Sequence, residues 1–194
     1  VPELEVGVPA MGLDAVADIA AVAAAVGRER VVTWCRGTET DLAAAEKTGV
    51  AAVHLSFASS RLHQDIWRQE AEEILARVRV LVAHAREKFE RVYVGAQDAS
   101  RASPEFLAEF ARVAWEAGAQ RIRYADTVGR LVPGRLAEAL KPIQMAAAVS
   151  SVANGGTLVN QYGRWHYQDW GDPSHTLTVP SFVPSHSGLH YLQL

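Results

Sequence analysis

The chain has 194 residues, of which 49% are hydrophobic and 21% are charged, and its formal net charge is −3. These totals are typical of a soluble globular protein with one sizeable core, and the lack of net positive charge argues against nucleic acid as a partner. Cys35 is the only cysteine and no apolar run reaches the roughly 20 residues of a membrane span, so we expect a cytoplasmic protein without disulfides or membrane contact.

Strands and helices are predicted to alternate from the start of the chain. Residues 4–8 alternate between apolar and polar or small side chains, which indicates a strand. A helix with apolar residues at helical spacing follows and ends at Gly27. A second strand covers residues 30–35, and a loop that runs through Asp41 then leads into a short helix that closes at Gly49. Arg36 directly follows that strand, and the pattern alone is typical of a solvated loop cation.

The third strand and the helix after it have the clearest periodicity. Within residues 51–57, Val53, Leu55 and Phe57 share one face. One long helix is then predicted from about Gln64 to Lys88, because its apolar residues keep strict three-four spacing. Its charges lie mostly off that stripe, as expected of a solvated helix face.

The stretch from Val92 to Gly129 predicts a strand, a helix and a second strand. Ser103 can cap the helix, Pro104 fits its first position, and Gly118 can end it. Such short connections make a parallel βαβ unit. Functional side chains of parallel α/β folds gather where strands end, although ordinary cap and loop residues are an equally good interpretation here. The candidates at these strand ends are Gln97, Asp98, Ser100, Arg101, Asp126 and Thr127.

The two faces of the strands differ, and the difference favours a barrel. Several strands are apolar on one face and carry Glu5, His54, Gln97 or Arg123 on the other. A doubly wound sheet meets helices on both faces, whereas a barrel can collect polar residues near its C-terminal mouth. We therefore predict an α/β fold, an incomplete (β/α)8 TIM barrel, because a full one has about 250 residues. The tail or a second copy should cover its edge strands, so we expect a homo-oligomer.

The composition changes after Pro142. From Ile143 to the C-terminus only Arg164, Asp169 and Asp172 are charged, and helical periodicity is lost beyond about residue 152. We predict a partial barrel domain over residues 1–142 and a divergent tail of irregular or short β structure over residues 143–194. The segment IQMAAAVSSVANGGTLV in this tail weakly resembles part of the penicillin-binding transpeptidases, but it contains no catalytic motif.

Five segments together resemble the homocitrate synthases of nitrogen fixation, within a larger family that includes isopropylmalate synthases and related acyl-CoA lyases. They are VPELEVGVPAMG, VTWCRGTETDLAAA, VHLSFASSRLH, VGAQDASRASPEFL and RIRYADTVGRLVP. The resemblance covers roughly Val1 to Pro133 and implies strands 2 to 6 of a TIM barrel. It also implies a divalent metal ion (Mg²⁺, Mn²⁺ or Zn²⁺) at the C-terminal mouth and condensation of acetyl-CoA with a 2-oxo acid, 2-oxoglutarate in the homocitrate synthases.

Site residues are implied one by one by this resemblance. Glu5, Arg36 and Thr127 match residues implied to line the oxo-acid pocket, where an arginine can hold a carboxylate and a threonine hydroxyl can donate. The implied catalytic positions are Gln97 and Thr127. The implied substrate-binding residues are Glu5, Arg36, Ser59, His63, Asp98, Arg101 and Thr127.

Three departures from the family pattern bear on activity. Gln97 replaces the usual glutamate and so lacks acid–base capacity. The first family strand, with its arginine–aspartate metal motif, is absent, and Ser185 to Ser187 offers one histidine instead of the family's HxH pair. We therefore assign no metal ligand. Two hypotheses stay open: a homocitrate-synthase-like enzyme, and a catalytically inactive barrel fragment or binding module, and we expect the chain as given to be inactive alone.

Overall fold

Five parallel strands form one wall of a barrel. The computed structural model describes residues 3–153, 166–169 and 190–193. Each strand pairs in parallel with the next one along the chain, which confirms the predicted order and direction. The strands are β1 (Leu4–Glu5), β2 (Val31–Arg36), β3 (Ala52–Ala58), β4 (Arg91–Gln97) and β5 (Arg121–Asp126).

Helices connect these strands and cover one face of the sheet, as in a half-barrel. Short 3-10 turns at Pro9–Met11, Arg28–Arg30 and Ala99–Arg101 complete the connections. No helix in the described part of the chain combines the length and apolar character that crossing a membrane requires. The helices are α1 (Leu13–Val26), α2 (Glu39–Glu46), α3 (Arg61–Trp67), α4 (Ala71–Lys88), α5 (Pro104–Glu116) and α6 (Pro133–Ala153).

The hydrophobic core lies between the outer face of the sheet and the helices. Alternate residues of β3 and β4 point outward and meet α4 and α5. Ser103 begins α5 as predicted, because its hydroxyl accepts a hydrogen bond from the Phe106 N–H at 3.1 Å. Fully or almost fully buried members of this core include Val53, Leu55, Ile74, Val78, Leu81, Val94, Phe110 and Val113.

The predicted long helix from Gln64 to Lys88 is wrong, because the structure has two helices there. Arg68 takes the left-handed conformation, with φ of 52°, and ends α3. The Glu73 carboxylate accepts a hydrogen bond from the Glu70 N–H at 3.1 Å and fixes a new helix start. The break spans so few residues that the apolar stripe continues across it and hides it from a periodicity analysis.

Two other predicted boundaries shift. The first strand covers only two of the residues 4–8, and Gly7, with a positive φ of 60°, interrupts the extended backbone. The second helix begins before Asp41, because the Thr38 hydroxyl accepts a hydrogen bond from the Asp41 N–H at 3.2 Å and caps the helix. Asp41 is therefore a buried residue of α2.

Two strands near the C-terminus extend the sheet. β6 (His166–Asp169) pairs antiparallel with β7 (His190–Gln193), and β7 pairs antiparallel with β5. The prediction that the tail covers an edge strand is confirmed at β5. Helix α6 runs through Pro142, with Leu140 and Ile143 buried on either side of it. The division into domains at residue 142 stays a prediction.

Candidate functional site

Polar side chains of β1, β3 and β5 meet on the concave face of the sheet. His54 Nδ1 lies 3.0 Å from Glu5 Oε2 and 2.9 Å from Arg123 Nη1. Arg123 also donates a hydrogen bond to Glu5, although 118 positions separate them. In a flat sheet β1 and β5 would lie roughly 19 Å apart, at about 4.8 Å per strand. The contact therefore requires a sheet curled like a barrel wall, with Glu5, His54 and Arg123 in its interior.

This interior group holds a charged pair beside a neutral imidazole. Burial acts to raise the pKa of Glu5, but hydrogen bonding and charge from His54 and Arg123 outweigh it and leave that pKa below its ordinary value. Burial and the charge of Arg123 lower the pKa of His54, and Glu5 offsets this only in part. At neutral pH we therefore describe Glu5 as ionised and His54 as uncharged.

Gly95 makes room for the His54 ring. A Cβ atom added at Gly95 would lie 2.4 Å from His54 Nε2, closer than van der Waals contact permits. This Nε2 is buried and has no hydrogen-bond partner among the described residues. The missing side chain on β4 thus allows the ring to lie against the strand and to reach Glu5 and Arg123.

A second polar group lies deeper, toward the N-terminal ends of the strands. Glu3 accepts hydrogen bonds from Tyr93 Oη and Arg121 Nη1, both at 2.6 Å. Arg91 Nη1 also lies 3.2 Å from Glu3, and the Arg121 guanidinium stacks over the Tyr93 ring at 4.4 Å from its centroid. Two arginines therefore approach one carboxylate at this level.

Asp98 joins the ends of three strands at the mouth. Its side chain is fully buried and accepts hydrogen bonds from Arg101 Nε at 2.8 Å and from the Ser60 hydroxyl. Its N–H donates to Thr127 Oγ1 at 3.0 Å. Burial acts to raise the pKa of Asp98, but the bonds from Arg101 and Ser60 outweigh it and leave that pKa below its usual range. An ionised Asp98 thus links the loop after β4 to the ends of β3 and β5. Ser60, Asp98, Arg101 and Thr127 are called the Asp98 cluster below.

Arg36 is not part of the Asp98 cluster and is held by the start of α2. Its Nε and Nη2 donate to the two carboxylate oxygens of Asp41 at 2.9 and 2.8 Å, and its side chain is 61% exposed. The two-pronged edge of the guanidinium is therefore occupied by Asp41. A ligand carboxylate would have to share Arg36 with it.

The other predicted residues take varied positions near the mouth. Ser59 Oγ donates to the backbone oxygen of Gln97 at 2.7 Å, and Gln97 ends β4 half-buried on the interior face. His63 stacks on Trp67 with ring centroids 5.6 Å apart, and its Nε2 lies 3.9 Å from Asp98. Asp126 accepts hydrogen bonds from the N–H groups of residues 130 and 131 and acts as a loop cap.

The structure thus divides the predicted residues among three places. These are the interior, the Asp98 cluster and the pair formed by Arg36 and Asp41. Sequence reasoning placed His54 and Arg123 on the polar strand face but did not assign them to a site. Both are more than nine-tenths buried. Alternation along the strands indicated their face, but only the curl of the sheet shows that they meet Glu5.

The described residues do not fit a divalent metal site. They contain no group of three His, Cys, Asp or Glu side chains able to hold a cation. The carboxylates of Glu5 and Asp98 are each paired with an arginine, and Gln97 offers only a neutral amide. The single histidine of Ser185 to Ser187 lies outside the described residues.

Curated relatives share most of this chain but are longer than it. It is 35% identical over 150 residues to a 2-isopropylmalate synthase of Caldanaerobacter subterraneus, covering 77% of this chain and 39% of the relative. A homocitrate synthase of Frankia alni is 38% identical over 135 residues, covering 69% and 38%. The homocitrate synthase subunit alpha of Clostridium pasteurianum is 32% identical over 145 residues, covering 74% and 54%.

Solved structures share the fold. The HMG-CoA lyase of Brucella melitensis matches with a TM-score of 0.52 and 15% identity, over 69% of this chain and 49% of the lyase chain. The hydroxymethylglutaryl-CoA lyase of Pseudomonas aeruginosa matches with a TM-score of 0.54 and 20% identity, over 66% and 45%. The HMGL-like family model matches residues 1–154. The chain therefore belongs to the HMGL-like family and contains part of its barrel.

Proposed function

We propose that this chain carries the 2-oxo acid pocket of a homocitrate synthase of the nitrogen-fixation type, which joins acetyl-CoA to 2-oxoglutarate. The observation that carries the proposal is the contact of Glu5 with the buried side chains of His54 and Arg123, below a mouth where Gln97 and Thr127 lie. Two of the relatives described above are named homocitrate synthases. Support also comes from the segments that resemble that subtype.

Thr127 has a hydroxyl set up to donate toward a ligand. Its Oγ1 already accepts the hydrogen bond from the Asp98 N–H at 3.0 Å. The hydroxyl hydrogen can then point to another acceptor, such as a carboxylate or a developing alkoxide oxygen. Thr127 is therefore proposed to orient the oxo acid.

Gln97 and Glu5 limit the proton transfer that this pocket can perform. The condensation requires removal of a proton from the acetyl methyl group, and an amide such as that of Gln97 cannot accept it. Glu5 is a weak base because its pKa lies below the ordinary value. We propose that these residues bind and orient the 2-oxo acid but do not supply the base.

The second candidate is a binding module without turnover, which is favoured by the lack of a cation site among the residues that the structure describes. In the family, a divalent metal would polarise the oxo group, a contribution of several kcal/mol. Because the described residues do not fit such an ion, we derive no step through it. We propose that the chain alone binds a 2-oxo acid and does not condense it.

A paired assay of the purified chain tests both statements. Acetyl-CoA, 2-oxoglutarate and Mg²⁺ or Mn²⁺ should release no coenzyme A, while titration calorimetry should detect 2-oxoglutarate binding that weakens about tenfold, or about 1.4 kcal/mol, in Thr127→Ala. Coenzyme A release that depends on both substrates and disappears in Thr127→Ala would show that the chain is an enzyme on its own. Absence of any binding would contradict the proposed pocket.

A further inference from the structure

Arg123 is a buried cation at the centre of the concave face. Its residue is 5% exposed, and it pairs in register with Gly95 on the neighbouring strand. Glu5 beside it keeps 30% of its side chain exposed. Solvent therefore reaches this level of the interior next to a guanidinium that is itself enclosed.

The nitrogen atoms of this guanidinium differ in their contacts. Nη1 contacts both Glu5 and His54. Nε is buried and has no hydrogen-bond partner in the part of the chain that the structure describes. The N–H of Nε and the adjacent N–H of Nη2 form a fork that matches the two oxygens of a carboxylate.

The depth of Arg123 suits the far end of a dicarboxylic acid. Gln97 lies two residues beyond Gly95 along β4, and at about 3.3 Å per residue the mouth is roughly 6.6 Å above the level of Arg123. This distance is comparable with the separation of the two carboxylates in a five-carbon diacid. A substrate held at its oxo end near Gln97 and Thr127 would thus bring its second carboxylate to Arg123.

Charge summed over the two polar groups of the interior also favours an anion. Among the described side chains, Arg91 and Arg121 both approach Glu3, while Arg123 pairs with Glu5. The three arginines exceed the two glutamates by one positive charge. An apolar substrate side chain packed here would leave the Nε–H of Arg123 without an acceptor, which is costly inside a protein.

We infer that Arg123 binds the distal carboxylate of a dicarboxylic 2-oxo acid and so selects it over 2-oxo acids with apolar side chains. The assignment of the oxo end rests on the proposed function. The distal carboxylate does not, because glutarate has the same two carboxylates without an oxo group. Arg123 therefore determines specificity and needs no part in the bond-forming step.

Titration calorimetry with 2-oxoglutarate, glutarate and 2-oxoisovalerate tests this inference. The unmodified chain should bind 2-oxoglutarate at least tenfold more tightly than 2-oxoisovalerate. Arg123→Lys keeps the charge but loses the fork, so it should weaken binding of both diacids at least tenfold and leave 2-oxoisovalerate unchanged. The matched control Arg112→Lys, on the outer surface of α5, should leave all three affinities unchanged.

A double variant separates loss of binding from loss of folding. Glu5→Gln with Arg123→Gln removes both charges together, and it should keep the native circular dichroism spectrum while losing the preference for diacids. Unchanged 2-oxoglutarate affinity in folded Arg123→Lys, or no binding of either diacid to the unmodified chain, would overturn the inference. If glutarate binds as tightly as 2-oxoglutarate and both affinities depend on Arg123, the inference about Arg123 is upheld. The proposed function is then contradicted, because the oxo group adds nothing to binding.

Discussion

The two faces of the same five strands serve different purposes. The outer face is apolar and packs Val53, Leu55 and Val94 against α4 and α5. The inner face carries Glu5, His54 and Arg123 in contact with one another. Burial of apolar area stabilises the outer face and does not depend on the direction of any single contact. The inner face depends on the geometry of individual hydrogen bonds. One backbone can therefore support a core that tolerates substitution on one side and a polar site that requires a fixed geometry on the other.

The largest expected loss of stability comes from emptying the outer face. Phe110 is fully buried and lies 6.1 Å, between ring centroids, from Phe57. Phe110→Ala should lower the free energy of unfolding by about 3–5 kcal/mol, because it leaves a cavity. Urea denaturation followed by circular dichroism measures this, and a loss below that of the Gly95→Ala change described later would contradict the ranking of the two faces.

Asp98 should show a smaller loss that depends on pH. Asp98→Asn weakens the charged bonds from Arg101 and Ser60 and should cost about 1.5–3 kcal/mol at pH 7. Because the pKa of Asp98 is lower in the folded state than in the unfolded state, the unfolded state binds more protons at acid pH. The stabilisation from Asp98 is therefore present at neutral pH and is lost as the pH falls through the folded-state pKa.

Unfolding midpoints of the parent chain and of Asp98→Asn, measured from pH 7 downward, check this dependence. The difference between them should shrink as the solution becomes acidic, beginning near the ordinary aspartate value of about 3.9. A constant difference across that range would mean that Asp98 is not an ionised partner of Arg101.

Gly95 tests the polar face by crowding it. Gly95→Ala places a Cβ atom against His54 Nε2 and should cost about 1–3 kcal/mol through displacement of the ring. Since the ring carries the contacts to Glu5 and Arg123, 2-oxoglutarate binding should weaken as well. Calorimetry showing full affinity together with normal stability would indicate that the ring position is unimportant.

The smallest effect is expected at a surface ion pair. Arg112 on α5 donates to Glu109 at 2.9 Å and to Glu116 at 2.7 Å, all with exposed or half-exposed side chains. Arg112→Ala should cost about 0–1 kcal/mol, and less at high salt. A loss in urea denaturation equal to that of Asp98→Asn would remove the distinction between surface and buried pairs.

Sequence reasoning predicted the outer face well and the inner face only in part. The caps of α5 and the alternation of β3 and β4 are local patterns, so Ser103, Pro104 and the parallel order of the strands could be predicted. The break at Arg68 could not, because the apolar stripe continues across it. The contact of Glu5 with Arg123 joins residues 118 positions apart, and strand parity indicates a face without showing which side chains meet on it.

Chemical shift mapping with 2-oxoglutarate tests directly whether the concave face is a 2-oxo acid pocket. If it is, the backbone amides of Gln97, Asp98 and Thr127 should shift on titration, together with that of Arg123 on β5. Amides of Val78 and Phe110, which face the outer core, should stay unmoved. Shifts confined to the outer helices, or no shifts at saturating ligand, would show that this face is not a 2-oxo acid pocket.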